Sequence, residues 1–108
     1  MHQFACPYLK GEVELTQERE NHIIERHPEL SPDYRQLLAD TLMAPDSVRR
    51  SVCLGNVRLF SRWFAQVKSG KHLVVVVITD PVPGRRHWII TAYLARRLAE
   101  GETEWQLN

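Results

Sequence analysis

The segment HLVVVVI, residues 72–78, constrains the fold of this chain more than any other part of it. A strand that meets water on one face alternates apolar and polar residues, whereas this run is apolar on both faces. It predicts a central, buried strand with neighbours on either side. The flanking sequence supplies them. SVRRSV, residues 47–52, is short and alternating. NVRLFSRWF, residues 56–64, is rich in aromatic and β-branched residues, and Leu54-Gly55-Asn56 between the two reads as a hairpin turn. Ser69-Gly70-Lys71 reads as a second turn. HWIITAY, residues 87–93, reads as a fourth strand after a polar loop from Pro81 to Arg86.

Helices cover this sheet. In LTQERENHIIERHPEL, residues 15–30, Thr16 has the chemistry of an N-cap, and Glu18 and Glu20 sit in the first turn. Pro28 predicts an end near His27. Ser31-Pro32-Asp33 predicts a restart, with Ser as N-cap and Pro at the first helical position. Leu37, Leu38 and Leu42 carry that second helix to about Met43. LARRLAEG, residues 94–101, reads as a short helix stopped at Gly101. Helices first and strands after predict an α+β fold: N-terminal helices packed on a four-stranded antiparallel sheet, with a short C-terminal helix.

The chain has 108 residues, 44% of them hydrophobic, which predicts one domain spanning 1–108. Its longest aliphatic run, Leu73 to Ile78, is far short of the roughly 20 residues of a membrane helix. The first ten residues lack the basic-then-apolar order of a signal peptide, so a soluble, cytoplasmic protein with no membrane partner is expected. Cys6 and Cys53 form no CxxC pair and predict two reduced thiols.

Net charge is +1, but it is unevenly placed. Residues 1–48 carry four basic and nine acidic side chains, residues 49–97 carry ten basic side chains and one acid, Asp80, and the tail adds Glu100, Glu102 and Glu104. A basic middle between acidic ends suggests a positive face for an anionic partner.

On a helix, His27 falls between Ile23 and Ile24, in the buried stripe at its C-terminal end. His22 and Arg26 lie beside the stripe, four residues apart. Glu20 points inward, an oddity for a carboxylate, with two readings: a place near the helix rim, or contact with a cation. Alternation places Arg58, Phe60, Arg62 and Phe64 on one face of their strand, and His87, Ile89, Thr91 and Tyr93 on one face of theirs. With both rows on a common side of the sheet, arginines, a hydroxyl and a phenol converge. Lys71 starts the central strand, and Arg49 or Arg50 adds a cation. This inventory suits metal-free RNA cleavage, which needs an acid, a base and fixed cations for the phosphorane. Histidine titrates near neutrality, and arginine grips phosphate with two parallel hydrogen bonds. A His22–His27 spacing of five does not put two zinc ligands on one helical face, and no carboxylate cluster suits paired magnesium ions, so neither metal nor cofactor is expected. Each residue also has a plainer reading: His27 as a satisfied core histidine, Arg58 and Arg62 as solvated strand residues, Thr91 and Tyr93 as ordinary sheet residues.

The strings VELTQERENHIIERHPEL, PDSVRRS, GKHLVVVV and IITAYLARRLAEGETEW together resemble a phage-associated nuclease family grouped with barnase, EndoU, the colicin-type tRNases and RelE. The resemblance runs from Val13 to Trp105. It implies helices on a four-stranded antiparallel sheet and a metal-independent ribonuclease activity. The matching polar residues are His22, Arg26, His27, Arg50, Ser51, Arg62, Lys71, Thr91 and Tyr93. Glu20 departs from the motif, where an aromatic or apolar residue is expected. The resulting expectation is a small endoribonuclease, a toxin or phage-derived effector, with RNA as substrate and an antitoxin or immunity protein as partner. His27 is the expected general acid/base. Tyr93, Thr91 and Lys71 assist catalysis, and Arg26, His22, Arg50, Arg58 and Arg62 bind substrate. The rivals are a module that binds RNA or an acidic protein without chemistry, and a different enzyme on the same scaffold.

Overall fold

The computed structural model describes residues 2–30, 33–80, 86–98 and 101–107. Seven strands, β1 (His2–Cys6), β2 (Gly11–Leu15), β3 (Ser47–Arg50), β4 (Val57–Phe64), β5 (Lys71–Thr79), β6 (His87–Ala95) and β7 (Glu102–Gln106), form one sheet in the order β1-β2-β6-β5-β4-β3-β7. Two helices, α1 (Gln17–Arg26) and α2 (Tyr34–Met43), precede β3. The HLVVVVI segment lies in β5, the middle strand of the seven, as its two apolar faces demand.

The fold class expected from sequence is corrected. The sheet has seven strands rather than four, and it is mixed, because β2 pairs with β6 in parallel through Val13–His87 and Glu14–Trp88. The added strands are short. β1 and β2 form an antiparallel hairpin around a 3₁₀ turn at Pro7–Leu9, and their fully buried residues are only Cys6, Val13 and Leu15, with Phe4 partly buried against the core. β7 is exposed at every residue, so it carries no apolar alternation at all. The expected C-terminal helix is also corrected: Leu94 and Ala95 continue β6, and residues 96–97 are a bend. Residues 99–100 lie outside the described residues, as do Ser31 and Pro32 of the expected cap and residues 81–85 of the expected loop.

Local chemistry explains both helices. Thr16 Oγ1 accepts from the Arg19 amide at 3.2 Å and caps α1, and His27 closes it, its amide donating to the Ile23 carbonyl. α2 turns Tyr34, Leu37, Leu38, Thr41 and Leu42 inward. These meet Val48, Phe60, Phe64, Leu73, Val75, Val77, Ile89 and Ala92 from one face of the sheet, here called the helix face. Glu20 is buried in this layer, accepting from Arg35 Nε at 2.8 Å and from the Tyr34 hydroxyl. The Arg35 bond holds its carboxyl below the usual range against the opposing effect of burial. That is the cation an inward carboxylate requires. Beyond Trp88, β6 pairs with β5 alone, and α1 lies against β6 there, with Arg19 Nη1 donating to the Ile90 carbonyl at 3.4 Å.

Candidate functional site on the far face of the sheet

Register decides which candidate residues meet. In β4, Arg58, Phe60, Arg62 and Phe64 do share a face, and the burial of Phe60 and Phe64 in the core makes it the helix face. In β6 the alternation breaks. Val77 pairs with Ile89 but Val76 pairs with Thr91, so Ile90 is a bulge. His87 and Ile89 stay on the helix face. Thr91 and Tyr93, in register with Val76 and Val74, turn to the other side. The second row is therefore split, Thr91 and Tyr93 lie on the opposite side of the sheet from Arg58 and Arg62, and a single site containing Arg58, Arg62, Thr91 and Tyr93 is ruled out by geometry.

On the helix face the arginines meet acceptors of the chain itself. In β7 the pairing steps from Val48–Trp105 to Arg49–Thr103, which leaves Glu104 out of register. Its carboxylate accepts from Arg50 Nε and Arg58 Nε, each at 2.8 Å, and from the Tyr8 hydroxyl at 2.7 Å. Burial resists the Glu104 charge, yet Arg58, Tyr8 and Arg50 hold its carboxyl below the usual carboxylate range. Burial, with the bond to Glu104, pushes the Tyr8 hydroxyl up to about 12. Glu104 thus fastens β7 to basic residues of β3 and β4 on this side. Arg62 Nη1 reaches the Asp40 and Ala44 carbonyls at 3.3 Å and caps α2, with its guanidinium 5.5 Å from the Phe64 ring. Lys71 Nζ donates to the Lys68 and Gly70 carbonyls at 2.9 and 3.3 Å, tying the β4–β5 turn. A cleft of about 490 Å³ opens beside this cluster, lined by Lys10, Arg50, Asn56, Arg58, Thr79 and His87 among others. Thr79 Oγ1 lies 2.8 Å from His87 Nδ1 within it.

The far face gathers a different set. Tyr93 stands over β6, and the His27 ring comes round from the end of α1 to within 6.3 Å of it, centre to centre. His27 Nδ1 is 3.4 Å from Glu29 Oε2, a carboxylate placed to orient the ring. A cavity of about 150 Å³ beside Tyr93 is lined by Arg49, Ser61, Val74, Arg97 and Leu98. Arg49 points here because Val48, its neighbour, points to the core. Ser61 Oγ lies 3.1 Å from Ser47 Oγ across β3 and β4. After β6 the chain passes this cavity with Arg97 and Leu98 before entering the sheet again beyond β3 as β7. A second hollow, about 300 Å³, shares Arg49 and Leu98 and adds His72, Asp46 and Gln106.

Thus the structure brings His27 and Tyr93 together and puts Thr91 on the same face. It leaves Arg50, Arg58, Arg62 and Lys71 elsewhere. His22 is half-buried and Arg26 exposed on α1. Sequence reasoning left Arg49 and Arg50 as alternatives and missed Ser61 and Arg97. The signal for Arg49 was present: adjacent strand residues face opposite ways, and Val48 fixes which. Among the described residues no three histidine, cysteine or carboxylate side chains are grouped as metal ligands would be. No helix among them is long and apolar enough to cross a membrane. No known family model, curated protein or solved structure matches the chain.

Proposed function

We propose that the far face is the active site of a metal-independent endoribonuclease. The observation that carries the reading is the meeting of the His27 and Tyr93 rings beside a cavity lined by two arginines, Arg49 and Arg97. In this reaction a base removes the proton of a ribose 2′-hydroxyl, the 2′-oxygen attacks the adjacent phosphorus, and the 5′-oxygen leaves with a proton. The products are a 2′,3′-cyclic phosphate and a 5′-hydroxyl. His27 serves as the proton-transfer group, positioned by Glu29. The Tyr93 hydroxyl orients the phosphate or passes the second proton, and Thr91 lies in the adjoining cross-strand row. Arg49 and Arg97 hold the phosphorane charge in a partly water-excluded pocket.

The test is cleavage of a defined oligoribonucleotide by Arg49→Ala and Tyr93→Phe. Loss of about 10²-fold in kcat/KM for Arg49→Ala, with a smaller loss for Tyr93→Phe, supports the reading. RNA binding that weakens steeply with salt while the RNA stays intact would instead make the chain a binding module. A toxin of this kind would need a partner protein that covers the same face, and such a partner should protect His27 from modification.

A further inference from the structure

We infer that the exposed indole of Trp63 is a stacking subsite for a nucleobase of single-stranded RNA, next to the His27–Tyr93 site. The inference rests on the far face being the RNA site and names the substrate class it takes. Trp63 lies on β4 with the far-face parity of Leu59 and Ser61, in register with His72 of β5. The next row along the strands is Ser61, Val74 and Tyr93. From strand spacing and rise, the indole is roughly 12 Å from Tyr93, within reach of a base flanking the cleaved bond.

The side chain is 45% exposed yet held in place. His72 meets it edge-on, ring centres 4.9 Å apart at 70°. Its outer ring lies directly on Gly70: a Cβ there would come within 2.3 Å of Cζ2 and 2.8 Å of Cη2. Its backbone amide donates to Asp46 Oδ2 at 2.7 Å. The turn that presents Gly70 is itself unusual. Lys68, Ser69 and Gly70 have φ of 42°, 67° and 95°, three successive left-handed residues, two of them not glycine. Left-handed backbone is unfavourable for L-residues, and Lys71 offsets it by binding the Lys68 and Gly70 carbonyls. A tryptophan that only closed the core would not need a strained glycine seat and would not keep nearly half its surface in water. An indole with an open side, close in sequence to the exposed Lys68 and packed on His72, which shares a hollow with the far-face Arg49, suits a base with its phosphate attached.

The experiment measures binding of a fluorescein-labelled, fully 2′-O-methylated mixed-sequence oligonucleotide, which cannot be cut, beside cleavage of the unmodified RNA. We expect Trp63→Ala to weaken binding about 10-fold and to raise KM with kcat little changed, and Trp63→Phe to keep most of the affinity. Abasic sites placed along the probe give a test that needs no protein variant: one position should weaken wild type and leave Trp63→Ala unchanged. Wild type that binds and cuts RNA, with Trp63→Ala binding equally well, would overturn the subsite alone. Wild type that neither binds nor cuts would overturn the RNA reading with it. Self-association abolished by Trp63→Ala, with RNA affinity unaltered, would overturn it in favour of a protein contact.

Discussion

The two faces of this sheet carry similar residues to different ends. On the helix face, Arg50 and Arg58 meet Glu104, and Arg62 meets the end of α2, so basic side chains there fasten one element to another. On the far face, Arg49 and Arg97 line a cavity beside His27 and Tyr93. β3 supplies one arginine to each set, Arg50 and Arg49, and one residue of register separates a structural arginine from a candidate catalytic one. A basic segment is therefore not one surface, and its partner is found only after each cation is assigned to a side.

The sharpest contrast is between neighbours on β4. Phe60 is fully buried in the helix-face core, and Phe60→Ala should cost about 3–5 kcal/mol in urea unfolding. Ser61→Ala, on the other side, removes one hydroxyl contact and should cost about 1 kcal/mol. Equal losses would erase the distinction between core face and site face.

The next contrast is catalytic. His27→Ala should reduce RNA cleavage about 10²-fold or more, while Arg58→Ala should leave it within about threefold. The comparison breaks if the two variants lose activity alike.

Glu104→Gln sharpens the helix-face account. Weakening its bonds to Arg50, Arg58 and Tyr8 should cost about 1–3 kcal/mol without affecting cleavage. Because the folded carboxyl is held below its ordinary value, its contribution is fully present above the unfolded carboxylate pKa. It is lost as pH falls through the lowered one. Wild type should lose stability on acidification below about pH 4, and Glu104→Gln should show less of that loss. The smallest effect expected is that of Arg62→Ala, about 0.5–1 kcal/mol, from loss of the α2 cap.

Much of this was legible in the chain. The double-sided apolarity of residues 72–78 predicts the middle strand, and Thr16 and Pro28 mark the limits of α1. Of the two readings of the inward Glu20, rim position or contact with a cation, the Arg35 bond bears out the second. Three strands were not legible, because β1 and β2 are five residues each, too short for a period to stand out, and β7 is exposed throughout. The site was half legible. His27 and Tyr93 carry their chemistry in their identity, but the side on which Tyr93 stands depends on the bulge at Ile90, which no residue type announces. Lys71 read as a catalytic cation and is a turn clamp, because the left-handed turn beside it exposes carbonyls that need a donor.

The most direct test of the far-face site is cleavage of a mixed RNA pool in the presence of EDTA, comparing wild type, His27→Ala and Arg58→Ala, with the product ends identified. We expect wild type and Arg58→Ala to leave 2′,3′-cyclic phosphates and His27→Ala to leave the RNA intact. Cleavage by His27→Ala equal to wild type, or no cleavage by wild type, would contradict the assignment of catalysis to the face shared by His27 and Tyr93.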